Sequence, residues 1–200
     1  MLEELASDYL YKDILSLEKI RNPQFLKKLL KALAFQLGSE VSINELSVLL
    51  GVSFQTIERY LDLLEKCFVI YSLGTYSSNL RNEIKKGKKY YFYDLGIRNA
   101  IISNFNSLSV RQDVGQLWEN FCINERKKRH ISASVNYYFW RTYDGAEIDL
   151  IEEKPGGLSL FEFKWNPRKK ATVPASFIQK YGEDQLNIIS RQNFHSLLEI

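Results

Sequence analysis

The chain has 200 residues, 45% of them apolar and including 12 Tyr, 12 Phe and three Trp, so one large domain or two small ones can build a real core. With 27 Lys and Arg against 24 Asp and Glu its net charge is +3, a balance that permits a nucleic-acid partner without arguing for one. The acidic start Met1-Leu2-Glu3-Glu4-Leu5 excludes a secretory signal, no apolar run reaches membrane length, and no G-x-x-x-x-G-K-[ST] loop is present, which excludes ATP binding of that kind by these residues.

Residues 1–20 read as a helix with the stripe Leu5, Tyr9, Leu10, Ile14 and Leu17. Pro23 is placed to open the next helix, whose Phe25, Leu26, Leu29, Leu30, Leu33, Ala34 and Leu37 form a wide apolar face, and Gly38 supplies the stop. Ser42-Ile43-Asn44-Glu45 is a capping box for a short helix through Leu50. Gly51 makes the turn, and Ser53 caps a second helix from Phe54 to about Cys67. Two helices so joined resemble a helix-turn-helix. Strands follow at Phe68–Leu73 and Lys89–Tyr93, separated by a basic segment from Ser77 to Lys88, which together give the outline of a winged helix. In such a module Gln55, Thr56 and Arg59 on the second helix, and Arg81, Lys85, Lys86 and Lys88 on the wing, are the candidate nucleic-acid contacts. Glu58, Asp62 and Glu65 on the same helix would repel a phosphate backbone, so a protein-contact or spacer role stays open.

Asp94 starts a helix to about Phe105, and the polar loop Asn104–Ser109 marks a boundary between a helical, winged-helix domain over residues 1–106 and a second domain over 107–200. The second half reads helix (Asp113–Arg129), strand (Val135–Thr142), strand (Ala146–Glu152), strand (Leu158–Trp165), helix (Pro174–Tyr181), strand (Leu186–Ser190). The whole is an α+β protein with a mixed sheet. Cys67 and Cys122 lack ligand-like spacing and sit among apolar helix residues, so both read as core residues in a reducing, cytoplasmic compartment. The runs Lys85–Lys89, Arg126–Arg129 and Arg168–Lys170 read as solvated surface. His130 follows a basic helix end, where a cation favours the dipole, and His195 sits in the C-terminal tail with no partner; neither reads as a metal ligand.

The chemistry lies around Lys154-Pro155-Gly156-Gly157. A hairpin turning between Pro155 and Gly156 sets Asp149 opposite Glu162 and Glu147 opposite Lys164, all on one face, with Ile148, Leu150, Phe161, Phe163 and Trp165 on the other. Two facing carboxylates repel, and a divalent cation between them removes the cost. Asp149 and Glu162, with the Phe163 carbonyl as an extra oxygen, suit Mg²⁺ or Mn²⁺. Lys164 would orient or deprotonate the attacking water, or stabilise the charge that develops on phosphorus. The plainer alternative makes Glu147 and Lys164 an exposed cross-strand ion pair. Lys169 and Lys170, just beyond, are further candidate backbone contacts or a solvated loop.

These residues carry two resemblances. Gly115-Gln116-Leu117-Trp118-Glu119 on the first helix, Ala146-Glu147-Ile148-Asp149, and Phe161-Glu162-Phe163-Lys164 resemble the PD-(D/E)xK nucleases, in particular their Holliday-junction-resolvase-like members, although the consensus Pro before the Asp is absent. That resemblance covers roughly residues 110–190. It implies a restriction-endonuclease-like αβββαβ domain and a third acid, Glu119, that contacts the metal through water or steers Lys164. By spacing alone, Glu125 is as near the apolar stripe as Glu119. More widely, Asp8–Ile14, the helix-turn-helix, Lys88–Gly96 and Trp118–Phe121 are similar to the C-terminal half of a group of prokaryotic AAA+-type ATPases, a domain of unknown function. This implies an ATPase module preceding a chain that would be a fragment or an excised piece, with ATP bound only through that module. Three functions then compete: a Mg²⁺- or Mn²⁺-dependent nuclease, a non-catalytic module that docks nucleic acid (DNA in particular) or a regulated partner, and a protein-binding regulator whose winged helix forms a homo-oligomer interface.

Overall fold

A computed structural model describes residues 22–77, 87–130, 134–182 and 184–199. The expected first helix (residues 1–20) and the wing residues Arg81, Lys85 and Lys86 lie outside the described residues. The chain divides into two compact units, Met1–Ser72 with Gly87–Arg111, and Leu73–Lys86 with Gln112–Ile200. Among the described residues there are seven strands and seven helices, a mixed α+β content. None of the helices is long and apolar enough to cross a membrane.

In the first unit, helix α1 (Pro23–Phe35) starts where Asn22 accepts a hydrogen bond from the Phe25 N–H (3.0 Å), with proline in the first turn where no donor is needed. It buries Phe25, Leu26, Leu29, Leu30, Leu33 and Ala34. Its C-terminal carbonyl at Ala34 is taken by the buried Arg98 guanidinium through Nη2 (2.7 Å) and Nε (3.1 Å), a cation at the negative end of the helix dipole. A short strand β1 (Glu40–Val41) follows, which the sequence pattern does not announce. Helices α2 (Ile43–Leu50) and α3 (Phe54–Lys66) form at the expected caps: Ser42 accepts from the Glu45 N–H, Ser53 from the Thr56 N–H, and Gly51 takes the left-handed conformation between them (φ 67°). Strand β2 (Ile70–Thr75) begins two residues later than expected, because Phe68 and Val69 close the helix end by bonding back to Glu65 and Leu64. Strand β3 (Lys88–Phe92) pairs antiparallel with β1 and lies beside β2. Lys89 is buried (1% exposed), so the basic run counted as solvated surface contains a core lysine. Helix α4 (Leu95–Ile101), capped by Asp94, ends four residues short of the expected Phe105.

In the second unit, helix α5 (Val114–Arg129) precedes strands β4 (Asn136–Arg141), β5 (Glu147–Lys154) and β6 (Gly157–Phe163), then helix α6 (Ala175–Tyr181), strand β7 (Leu186–Ile189) and a last short helix α7 (Phe194–Leu197), where no helix was expected. The meander β4-β5-β6 is antiparallel; β7 joins β6 in parallel, and the end of β2 (Gly74, Thr75) joins β4 in parallel. One layer is the cluster Trp140, Ile148, Ile151, Leu160 and Phe177, with Tyr76 and Tyr181 packed on it. Trp118 meets Phe121, Trp165 and Phe194 at ring distances of 5.6–5.8 Å in a second aromatic group. Of the two cysteines, Cys122 is buried as expected while Cys67 is only half-buried.

Inside this unit the run Arg126–Arg129 is not all surface. Arg126 and Glu152 are fully buried and joined by two short bonds, Nε to Oε1 and Nη2 to Oε2, both 2.6 Å. The same guanidinium donates to the Leu197 carbonyl (2.7 Å), fixing α7, and lies 4.8 Å over the Phe161 ring. Lys154 adds a second cation to Glu152 at 3.0 Å. His130, at the end of α5, contacts both groups: its Nε2 is 3.1 Å from Arg126 Nη2 and 3.5 Å from Glu152. Burial lowers its pKa despite the opposing pull of Glu152, so the ring is neutral and accepts from the arginine. For Glu152, burial would raise the pKa, but the hydrogen bonds and charges of Arg126 and Lys154 outweigh it and the carboxyl is held below its ordinary value.

Candidate functional site

The hairpin that positions the expected residues has the register its Pro155–Gly156 turn predicts: Lys154 pairs with Gly157, Ile151 with Leu160, and Leu150 with Phe161. The next step in that register is Asp149 with Glu162. There the geometry departs from plain alternation. Between the pairs Tyr138–Ile151 and Trp140–Ile148, β4 advances two residues and β5 three. The extra residue falls at Asp149–Leu150, a β-bulge that resets the side-chain direction. This is why Ile148, expected to share a face with Leu150 and Phe161, instead joins Ile151 and Leu160 in the core cluster.

Asp149 and Glu162 are each 8% exposed. Past the last ladder pair, Asp149 Oδ2 accepts the Phe163 N–H (2.8 Å), so the aspartate ties the end of β6 to β5. The neighbouring Lys164 N–H donates to the Ile189 carbonyl (2.9 Å), tying the same segment to β7. The Lys164 ammonium donates to Glu162 Oε1. Glu147 does not take that lysine; it faces Arg141 in the β4–β5 ladder, with Nε to Oε2 at 3.8 Å. The expected Glu147–Lys164 pairing is therefore replaced by Glu147–Arg141 and Lys164–Glu162, because the alternation that produced it breaks at the bulge.

Electrostatics bring the fourth residue in. Burial would lower the pKa of Lys164, yet the Glu162 hydrogen bond and the charges of Asp149, Glu162 and Glu119 together hold it above its ordinary value. The Cys122 thiol beside them is pushed up, first by burial and then by Glu119, Asp149 and Glu125, so it stays protonated and unreactive. Glu125, the alternative to Glu119, bonds Lys128 at 2.7 Å and exerts no comparable influence on Lys164. Glu162 thus bonds the ammonium directly, while Asp149 and, more weakly, Glu119 act on it through their charge alone.

Among the described residues no three His, Cys, Asp or Glu side chains stand close enough to enclose a metal ion by themselves. Asp149 and Glu162 remain as the acidic candidates for a hard divalent cation of the magnesium type. Such ions are held by one or two carboxylates and complete their shell with carbonyl oxygen, water and substrate phosphate. Asp149 and Glu162 would be the ligands, with the Phe163 carbonyl available on the same segment.

The other expected contacts are distributed over both units. Gln55 and Arg59 are exposed on α3; Thr56 is half-buried and shares a 2.9 Å contact with the Ser53 hydroxyl, serving the helix cap. Lys88 is exposed at the start of β3 in the first unit, whereas Lys169 and Lys170 are exposed on the loop after β6 in the second.

Residues 1–108 match a domain of unknown function (DUF8612), and residues 114–195 match another domain of unknown function (DUF4143). An uncharacterized protein of Mycobacterium tuberculosis is 30% identical over 134 residues, which is 66% of this chain and 30% of that protein; one of Mycobacterium bovis gives the same figures. An uncharacterized protein of Haemophilus influenzae is 26% identical over 159 residues, 77% of this chain and 37% of that protein. The chain thus spans about a third of the length of these curated relatives. No solved structure gives a significant match.

Proposed function

The chain belongs to the DUF8612 family, and we propose that its second unit carries a divalent-metal-dependent site for cleaving phosphodiesters of nucleic acid. The observation that carries this reading is the bond of Lys164 to Glu162 beside Asp149, which holds the intervening Phe163 N–H, with the charge of Glu119 acting on the same lysine. The element order helix, three-stranded meander, helix, strand supports reading that unit as a PD-(D/E)xK nuclease-like domain. The two capped helices followed by strands support a winged-helix reading of the first unit, and the resemblance to AAA+-type ATPases supports an ATPase module elsewhere in the complete protein.

In this reading Asp149 and Glu162 hold Mg²⁺ or Mn²⁺. The ion supplies Lewis acidity to the scissile phosphate and lowers the pKa of a bound water. Lys164, held as the ammonium, stabilises the negative charge that develops on the phosphoryl oxygens. Without the ion, Glu162, Asp149 and Glu119 hold its pKa above the ordinary value, so it enters the site as the ammonium. Glu119, whose charge acts on Lys164 from α5, would be a positioning residue that steers the ammonium. Titration calorimetry with Mn²⁺ tests the ligand assignment: the parent is expected to bind one or two ions and Asp149→Ala to show no binding heat. Equal affinity in the two proteins would remove Asp149 from the site.

A second reading, a non-catalytic module that docks nucleic acid or protein, is favoured by the direct pairing of Lys164 with Glu162 and by the exposed acids Glu58 and Asp62 on α3. It expects a salt-dependent DNA affinity that Asp149→Ala and Lys164→Ala leave unchanged.

A further inference from the structure

Strands β6 and β7 run parallel, and open α/β sheets bind ligands outside the C-terminal ends of such strands. Here those ends lead into two loops that border an open cleft of about 390 Å³, lined by Trp165, Asn166, Pro167, Arg168, Arg191 and Gln192. That volume falls within the roughly 300–1,000 Å³ of small-ligand pockets. The cleft begins one residue after Lys164.

Both walls are pinned. Asn166 folds the first: its side-chain oxygen accepts the Arg168 N–H (3.0 Å) and its carbonyl the Lys169 N–H (3.1 Å). Asn193 folds the second: its Oδ1 accepts from the N–H (2.7 Å) and hydroxyl (2.9 Å) of Ser190, and its Nδ2 donates to the Ile188 carbonyl (2.8 Å). Trp165 is braced edge-on by Trp118 at 5.6 Å, and the Arg191 guanidinium lies 5.5 Å from its ring centre. A rigid half-buried indole, two guanidinium groups and no carboxylate line the space. Guanidinium groups grip phosphate oxygens in a bidentate manner, and both an indole and a guanidinium plane stack nucleobases. In a duplex those base faces are covered by neighbouring pairs, so only an unpaired nucleotide can use the indole.

We propose that this cleft holds an unpaired nucleotide, its base taking the place of the Arg191 guanidinium over the Trp165 ring and its phosphate gripped by Arg168 and the displaced Arg191. The substrate class of the adjacent carboxylate–lysine site is then single-stranded nucleic acid. The inference rests on the phosphodiester-cleaving reading of that site for its catalytic meaning, but the binding itself does not.

The test is fluorescence anisotropy with the full chain in EDTA, using a labelled oligothymidine and a blunt duplex of equal length. The parent is expected to bind the single strand ~10-fold or more tightly than the duplex, and Trp165→Ala to lose about that factor, the usual effect of removing one base-stacking side chain. Because Trp165 also packs on Trp118, the exposed double variant Arg168→Ala/Arg191→Ala is a second arm. Its expected salt slope is shallower by about 0.7 for each lost phosphate contact. Equal affinity for duplex and single strand, or a double variant that binds like the parent, would overturn the proposal. Since EDTA removes divalent cations, the binding result is independent of the Mn²⁺ titration, which tests the cleavage reading alone.

Discussion

Lys164→Ala is expected to lower Mn²⁺-dependent cleavage of DNA by ~10²-fold or more, the usual loss when one preorganised group that stabilises transition-state charge is removed. The expectation comes from the direct bond of Lys164 to Glu162, which places its ammonium beside a proposed metal ligand. A group with a raised pKa keeps its proton below that value and loses it only as the pH rises through it. Lys164 is therefore charged across the neutral range, and the rate should not climb as lysine deprotonates. Lys164→Arg, which keeps the charge, should recover part of the activity, whereas a lysine acting as base would leave the arginine variant as inactive as alanine. Cleavage rates of branched, single-stranded and duplex substrates, measured as pH profiles for the three proteins, separate these outcomes. The alanine change also leaves Glu162, 8% exposed, without its lysine, so thermal melts must accompany the rates.

Arg126→Ala and Glu152→Ala are each expected to destabilise the protein by about 3–5 kcal/mol. The first leaves the buried Glu152 with Lys154 as its remaining cation, and the second removes the carboxylate that takes two bonds of the buried guanidinium. The pair replaced together, Arg126→Met with Glu152→Leu, should cost much less than the two single losses added, since no orphaned charge remains. Denaturant melts of the three variants check both statements. Acid should act in the same direction as the single changes. The folded pKa of Glu152 lies below its unfolded value, so its contribution is present above the unfolded carboxyl range and is lost as pH falls through the folded value. His130 is likewise lowered, and its contribution begins to fade once the pH drops below the ordinary histidine range. Stability should therefore decline steadily on acidification, and the decline should be shallower in the Arg126→Met/Glu152→Leu protein.

The parts of this fold that were legible in the sequence are those with local chemistry. Ser42, Gly51, Ser53 and Asp94 mark caps and a turn through their own side chains or backbone freedom, and each is found in that role. The Pro155–Gly156 turn sets the register of the β5–β6 hairpin, because the alternation on both sides admits only one pairing that buries the apolar set. What was not legible is non-local. The bulge at Asp149–Leu150 depends on how β4 meets β5, and it redirected Ile148 and dissolved the Glu147–Lys164 pair. Arg126 was hidden by its basic neighbours, yet it lies four residues beyond Cys122, on the buried stripe of α5. Glu152 continues the parity of Leu150 on the apolar face of β5. An arginine and a glutamate each in register with a core stripe were the available signal for the buried pair. Trp165 was read only as a member of that apolar face, since the loop that brings Arg191 over it lies beyond β7.

The proposed chemistry requires Asp149 and Glu162 to share a divalent cation beside Lys164. An anomalous difference map from crystals soaked in Mn²⁺ locates the ion without reference to activity. A peak about 2–2.5 Å from oxygens of both carboxylates is the predicted result. A map that is flat between them, or whose strongest peak lies at another part of the molecule, would contradict it.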